Sequence, residues 1–250
     1  MEINTKELEM KPTIFTCLSP SLLHLYDVST SIVVIIDVLR ATSTITTALH
    51  NGAKEVIPVD SVAECIRIGK NIEGITAGER DGQIAEGLQY GNSPFEYSRN
   101  FIEGKTLVLT TTNGTKLLHM ANTRGAKEII TGSFPNITNV VEYLQEKNMN
   151  VILACAAWKD KVNIEDTLFA GAVANRIKAQ FDVQCDSTQM AESMYLYAKN
   201  DLYEFMKERN ATHYHRLTKF NLEKDIRYCL TDDVARALPM YVEGKLVNID

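Results

Sequence analysis

The chain has 250 residues, 45% of them apolar and 23% charged, with a formal charge of −6. That balance is ordinary for a soluble globular protein, and it speaks against nucleic acid, because tracking phosphates needs clustered Lys and Arg. No apolar run approaches the ~20 residues of a membrane span, and five scattered cysteines fit reduced thiols better than a disulfide framework. The start, Met1-Glu2-Ile3-Asn4, is acidic and lacks a basic-then-apolar signal pattern. A cytoplasmic protein is expected, in which the sequons at Asn113, Asn136 and Asn210 have no glycan meaning.

Residues 12–18 read as a short strand. Residues 32–36 are a nearly continuous apolar run, as expected of a strand buried on both faces of a parallel sheet. The run ends at Asp37-Val38-Leu39-Arg40. A helix is expected over 43–50, a strand over 55–59, and a helix over 61–70 capped by Ser61 with Glu64 three residues on. Gly74 to Gly91, rich in Gly and polar residues, reads as a long loop. Strand 106–111, helix 115–122 and strand 127–131 repeat the first programme. An offset of 73 carries Gly52 onto Gly125, Thr42 onto Thr115 and Asp37 onto Thr110. Each unit runs strand, polar loop, helix, then Gly-Ala-Lys-Glu into another strand.

The turn at 132–136 is the only plausible boundary within what otherwise reads as a single catalytic unit over 1–250; it would divide lobes 1–135 and 136–250. Residues 150–155 are expected as a strand, 156–163 as a loop and 164–180 as a helix. A further helix over 187–209 carries a Met, Tyr, Leu and Phe stripe at 190–206 that reads as core. Residues 222–229 and 231–238 look like two short elements, the second a helix started by Thr231-Asp232-Asp233. The alternation predicts an α/β fold, a three-layer α/β/α arrangement with a largely parallel or mixed sheet built from repeated strand-loop-helix units.

A helix N-terminus just after a buried strand offers N–H groups and a positive dipole end to an anion. Ligands of open α/β sheets sit beyond the carboxyl ends of the strands. Three loops occupy that position. In the first, Asp37 ends a β-branched run three places before Arg40, and Thr42, Ser43 and Thr44 open the helix. A cap alone would not require so pointed a pattern. In the second, Thr110 to Thr115 puts four hydroxyls into six residues and fits an oxyanion cradle. In the third, Glu165-Asp166 opens a helix with hard oxygen donors that suit Mg²⁺. Gly78-Glu79-Arg80 and Gly91-Asn92-Ser93-Pro94 bracket the long loop; a surface ion pair and an ordinary turn are equally good readings of them. Cys155 reads as a buried thiol and His213-x-His215, with no third ligand nearby, as surface. The Walker pattern fails at Arg99, no cysteine has an arginine six residues later, and neither Asp-x-Asp at 37 nor Arg-His-Gly occurs.

Asp37-Val38-Leu39-Arg40-Ala41-Thr42-Ser43-Thr44, Gly78-Glu79-Arg80, Gly91-Asn92-Ser93-Pro94, Thr111-Thr112-Asn113-Gly114-Thr115 and Glu165-Asp166-Thr167-Leu168 with Ala170-Gly171-Ala172 together resemble the 2-phosphosulfolactate phosphatase family. The match runs in order from about residue 30 to 240. Where the family usually reads Cys-Ala-Gly, this chain has Cys155-Ala156-Ala157.

The resemblance implies a phosphoric monoester hydrolase that uses Mg²⁺ to convert 2-phospho-3-sulfolactate into 3-sulfolactate and phosphate, a step towards coenzyme M in methanogens. Its partner is then a small anionic substrate, phosphorylated and sulfonated, with no nucleic acid and no membrane. On that reading Asp37, Arg40, Glu165 and Asp166 carry the catalysis, with some of Asp37, Glu165 and Asp166 holding the metal beside Glu79. Arg40 and Arg80 clamp the anion. Thr42, Ser43, Thr44, Asn92, Ser93, Thr112, Asn113, Gly114 and Thr115 complete the substrate site. Asp37 is open to two roles, metal ligand or covalent nucleophile. A phosphohydrolase of another phosphorylated hydroxy acid and a non-catalytic anion-binding module are the alternatives. Clustered carboxylates argue against the second, since they repel an anion unless a metal intervenes. A homodimer is compatible with the sequence.

Overall fold

A computed structural model describes residues 11–80 and 82–250; the acidic segment Met1-Glu2-Ile3-Asn4 lies outside them. In chain order the first elements are β1 (Ile14–Cys17), β2 (Ser31–Ile36), α1 (Ala41–His50), β3 (Glu55–Val59), α2 (Val62–Ile72), β4 (Ile75–Arg80), β5 (Gln83–Ile84), α3 (Arg99–Ile102), β6 (Thr106–Thr110) and α4 (Gly114–Thr123). Then come β7 (Glu128–Gly132), α5 (Ile137–Lys147), β8 (Asn150–Cys155), α6 (Ile164–Ile177), α7 (Asp186–Ala198), α8 (Leu202–Glu208), α9 (Thr212–Thr218), α10 (Glu223–Cys229), β9 (Pro239–Val242) and β10 (Lys245–Asn248).

All ten strands join one mixed sheet, ordered β1-β8-β2-β7-β9-β10-β3-β6-β4-β5. The expected α/β architecture holds, and the sheet has two parallel parts. One is β1-β8-β2-β7 and the other is β3-β6-β4. The antiparallel hairpin β9–β10 links them, touching β7 through the single pair Ile130–Met240 and β3 through the single pair Leu246–Val56.

The repeat seen in the sequence becomes an exchange of strands. β2-α1-β3 and β6-α4-β7 interlock, with β2 beside β7 and β3 beside β6, both parallel. Ile32 faces Glu128 while Thr106 faces Glu55, so the strands are related by an offset of 74 and the following segments by 73. The loop of the second unit, 111–113, is one residue shorter than the loop 37–40. The structural counterpart of Asp37 is therefore Thr111, one residue beyond the expected Thr110.

Period-2 alternation places the core. Ile32, Val34 and Ile36 pack with α5, α6 and α7, whereas Val33 and Ile35 pack with α1 and α4. Burial of both faces explains why β2 has no polar alternation. The interior thiol Cys155 lies in the first of these clusters, as expected.

Several expectations need correction. Residues 74–91 are no continuous loop: β4 pairs in parallel with β6, and the short β5 pairs antiparallel with β4. The expected helix over 187–209 breaks into α7 and α8, with Asp201 capping the second through the Glu204 N–H. Its apolar stripe is only half core, since Met206 is buried but Met190 and Tyr197 are largely exposed. Residues 231–238 form no helix. Asp233 instead accepts from the Thr138 N–H (2.9 Å) and hydroxyl (2.7 Å) at the start of α5. That helix was not foreseen, although Ile137, Val140, Val141 and Leu144 have helical spacing and are buried. Among the described residues, no helix is long and apolar enough to cross a membrane.

Candidate active site

The loops after β2, β6 and β8 converge. Asp166, in the first turn of α6, accepts the Val38 N–H at Oδ1 (2.9 Å) and the Ala157 N–H at Oδ2 (3.2 Å). One carboxylate thus fastens the loop after β2 to the loop after β8. The loop after β6 arrives through Gly114, where an added Cβ would lie 2.8 Å from Asp37 Oδ2 and 3.3 Å from Ala41 Cβ. Only glycine permits that approach of the α4 N-terminus to the Asp37 carboxylate.

A narrow cleft at this junction is lined by Asp37, Leu39, Arg40, Glu79, Asn92, Thr111, Thr112, Asn113, His213 and Arg216, with Gly82 and Leu217 at its edge. Of the residues singled out in the sequence, Asp37, Arg40, Glu79, Asn92, Thr112 and Asn113 meet here. Glu165 is fully buried behind the cleft wall, beside Asp166.

The other hydroxyls are engaged within the protein. Thr42 Oγ1 accepts the Asp37 N–H (3.1 Å), Ser43 donates to the Val38 carbonyl (2.9 Å), and Thr44 donates to the Asn92 carbonyl (3.0 Å). They shape the Asp37 loop and tie it to the 91–94 turn, and none of them lines the cleft. Thr115 likewise donates to the Thr111 carbonyl (3.2 Å). Ser93 opens onto a neighbouring cavity with Glu96 and Arg40. Arg80 does not reach the cleft either. It donates to the Glu79 carbonyl (2.6 Å) and to Thr110 Oγ1 (3.2 Å), bracing β4 on β6. Glu79 accepts from Thr112 Oγ1 (3.1 Å) and the Gly82 N–H (2.8 Å), so it fixes the threonine loop.

Three residues unforeseen in the sequence complete the site. Asp225, in α10, takes Arg40 Nη1 at 2.5 Å in a buried ion pair. Arg40 therefore pairs across 185 residues and not with its neighbour Asp37. His213, expected at the surface, is buried in α9 with Nδ1 2.5 Å from Glu165 Oε1 and Nε2 against Arg216. A guanidinium has no acceptor, so that contact leaves the proton on Nδ1, pointed at Glu165. His213 and Arg216 stand three apart on one helix face. That spacing was the available signal, but no local feature named their partner.

Electrostatics single out two carboxyls. Burial pushes Asp37 up from 3.8 to about 6, helped by Glu79 and Glu165. Burial, with Glu165 and Asp37 adding repulsion, holds Asp166 well above the usual carboxylate range. Two buried side-chain oxygens at the site, Glu165 Oε2 and Asn92 Oδ1, have no hydrogen-bond partner. Among the described residues no three His, Cys, Asp or Glu side chains converge at ligand spacing. A cation here would find only one or two protein oxygens. Mg²⁺ commonly accepts that, filling the rest with water and phosphate oxygen. An orphaned acceptor beside mutually repelling carboxylates fits a hard divalent cation.

Ala157 lies in the left-handed region at φ +57°. A Cβ there costs about 1–2 kcal/mol, and glycine gives back about 0.5–1 kcal/mol in unfolded-chain entropy. Ala157→Gly is expected to stabilise the protein by about 0.5–1 kcal/mol in thermal unfolding, with the Asp166 contact retained.

The family described as 2-phosphosulpholactate phosphatase matches residues 17–244. A protein of Caldanaerobacter subterraneus subsp. tengcongensis, named probable 2-phosphosulfolactate phosphatase, is 42% identical over 217 residues, covering 85% of this chain and 88% of its own length. Proteins of the same name from Thermotoga maritima and Clostridium acetobutylicum are 42% and 36% identical, over 86% of this chain and 90% and 91% of theirs.

Proposed function

We infer the reaction from kinship and geometry together: the chain belongs to the 2-phosphosulfolactate phosphatase family. It is a phosphoric monoester hydrolase that converts 2-phospho-3-sulfolactate into 3-sulfolactate and inorganic phosphate. The observation that carries this reading is the cleft where buried Asp37 stands among Arg40, Arg216 and the Thr111–Asn113 loop at the α4 N-terminus. An acidic chain can hold an anion only by such local means.

In this reading Arg40 and Arg216 receive the phosphoryl oxygens. Arg40 commits one arm to Asp225, and a guanidinium has further donors for substrate. The α4 N-terminus and Asn113 add donors and dipole to the charge that grows on the phosphoryl group. Asp37, held by the Ala41 N–H and pressed against Gly114, is fixed in direction. It acts either on phosphorus or as a metal ligand. Mg²⁺ would be held by Asp37 and by Glu165 through its orphaned Oε2, and when bound it supplies charge neutralisation at the phosphoryl oxygens. His213 holds Glu165 in place by its Nδ1–H. Asp166 is committed to two backbone amides and serves the loops.

The continuous sheet favours a single catalytic unit over 1–250, and a cytoplasmic setting suits the free thiols. A role towards coenzyme M, and a homodimer, belong to the same reading as expectations. The test is phosphate release from racemic 2-phosphosulfolactate with and without Mg²⁺. Turnover that vanishes on chelation and returns with Mg²⁺ is expected. No release under either condition overturns the reading, and release only from unsulfonated esters moves it to another hydroxy acid.

A further inference from the structure

The central cleft has an internal volume of about 20 Å³, whereas cavities of about 300 and 310 Å³ open on its two flanks. A phosphate ester bearing two more acidic groups cannot be housed in the centre alone. Its arms must lie in the flanks. In 2-phospho-3-sulfolactate the carboxylate sits directly on the carbon that bears phosphate. The sulfonate stands one carbon further out.

The flanks differ in charge. The 310 Å³ cavity contains Glu96, and its arginine, Arg40, is already tied to Asp225. The 300 Å³ cavity is lined by Trp158, Lys161, Asn163, Thr212, His213 and Arg216, with no carboxylate among the described residues that line it. His213 and Arg216 also line the central cleft, so these two side chains face both spaces. Lys161 makes no ion pair among the described residues.

The loop that carries this wall is built stiffly. Trp158 and Lys161 exchange backbone hydrogen bonds at 3.0 Å in both directions, closing a two-residue turn. Its central residues, Lys159 and Asp160, both lie in the left-handed region at φ +52° and +60°. That is type I′ geometry, which usually recruits Asn-Gly. Non-glycine residues there carry strain, of a kind that concentrates where a loop has a job to do. Asp160 is anchored from outside by Lys116 (3.3 Å) and through its carbonyl by Ser19 (2.8 Å). Facing residues of an antiparallel pair project to the same side. The turn therefore brings Lys161 and Trp158 to one wall of the cavity, where the Arg216 guanidinium lies 4.6 Å and the Lys159 ammonium 4.5 Å from the indole centroid.

We propose that the cavity between the Trp158–Lys161 turn and α9 receives the sulfonate arm of the substrate, with Lys161 and Arg216 as its cationic partners and Trp158 as its floor. The inference rests on the phosphosulfolactate reading and names the residues that set its specificity. A sulfonate stays anionic throughout the working pH range and spreads its charge over three oxygens. Two separated cations on a rigid wall suit it better than a single bidentate fork.

The test compares wild type with Lys161→Met, an exposed position whose change does not threaten the fold. Binding of 3-sulfolactate is measured by calorimetry. KM and kcat are measured for phosphosulfolactate, 2-phospholactate (no sulfonate) and 2-sulfoethyl phosphate (no carboxylate). In Lys161→Met the affinity for 3-sulfolactate and the apparent affinities for both sulfonated esters should fall tenfold or more, chiefly through KM. Selectivity over 2-phospholactate should fall by the same factor. Equal losses on all three esters, or none, overturn the proposal. So does a loss confined to esters that carry the carboxylate. A protein that binds 3-sulfolactate through Lys161 yet releases no phosphate would uphold the cavity while overturning the reaction.

Discussion

Asp37→Asn should lower kcat about 10³-fold and, in the absence of divalent metal, make the protein more stable at neutral pH. The first effect follows from position. Asp37 is a buried carboxylate lining the cleft, so as nucleophile or metal ligand its negative oxygen is lost; a 10³-fold loss corresponds to ~4 kcal/mol of barrier. The amide has the same shape and still accepts the Ala41 N–H, so the fold survives.

The second effect follows from linkage. The folded protein keeps a proton on Asp37 up to about pH 6, whereas the unfolded chain releases it near 3.8. Between those values the folded state binds more protons, so this group's contribution to stability declines as pH rises and then stays low. Asparagine removes the decline. The variant should exceed wild type by up to about 3 kcal/mol in urea unfolding at pH 7.5, with the gap closing towards pH 4. A variant no more stable than wild type at pH 7.5 would show that Asp37 is not charged against its neighbours. Near-normal turnover would move the site elsewhere. Trapping of a labelled phosphoenzyme in wild type, absent in the variant, would make Asp37 the nucleophile.

What the sequence disclosed and what it hid divide along physical lines. β2 was legible because burial on both faces leaves five apolar residues in a row. The repeat was legible because both units need the same strand, loop and helix. The one-residue difference between their loops was not. Thr110, Thr111 and Thr112 are chemically alike, and only register against β3 tells which of them stands where Asp37 does. β4 was mistaken for loop because of Gly78, where a Cβ would come within 2.4 Å of the Thr110 carbonyl. Sterics demanded glycine in a strand, and composition then read as a turn. The hairpin β9–β10 left a signal that went unread: Glu243 and Gly244 both have positive φ, in the two-residue turn that joins strands of alternating pattern.

The site itself was half visible. Asp37, Asn113 and Glu165 stand at strand-to-helix joins, where chemistry is expected. The hydroxyls of Thr42, Ser43 and Thr44 look the same in sequence whether they face a ligand or their own loop, and here they face the loop. His213, Arg216 and Asp225 come from short helices that pack over the cleft late in the chain. Their partners lie 48 and 185 residues away, and no periodicity encodes such a pairing.

The pair Arg40–Asp225 yields the second large effect. Asp225→Ala should destabilise the protein by about 3–5 kcal/mol, because it leaves a guanidinium buried without its counter-ion. It should also remove most activity, since Arg40 then has no anchor. Neither loss alone says whether Arg40 serves the fold or the substrate. The double variant Arg40→Met, Asp225→Leu separates the two. Replacing a buried ion pair by apolar residues of similar volume is often neutral or stabilising, so urea unfolding should return to within about 1–2 kcal/mol of wild type. Phosphate release should not return, because methionine offers the phosphoryl oxygens no donor. A double variant that is stable and fully active would reduce Arg40 to scaffolding and leave Arg216 as the cleft's anion receptor. A stable, inactive one would place the cost of burying this charge on the side of function, with Asp225 present so that Arg40 can be held aimed and charged inside the protein.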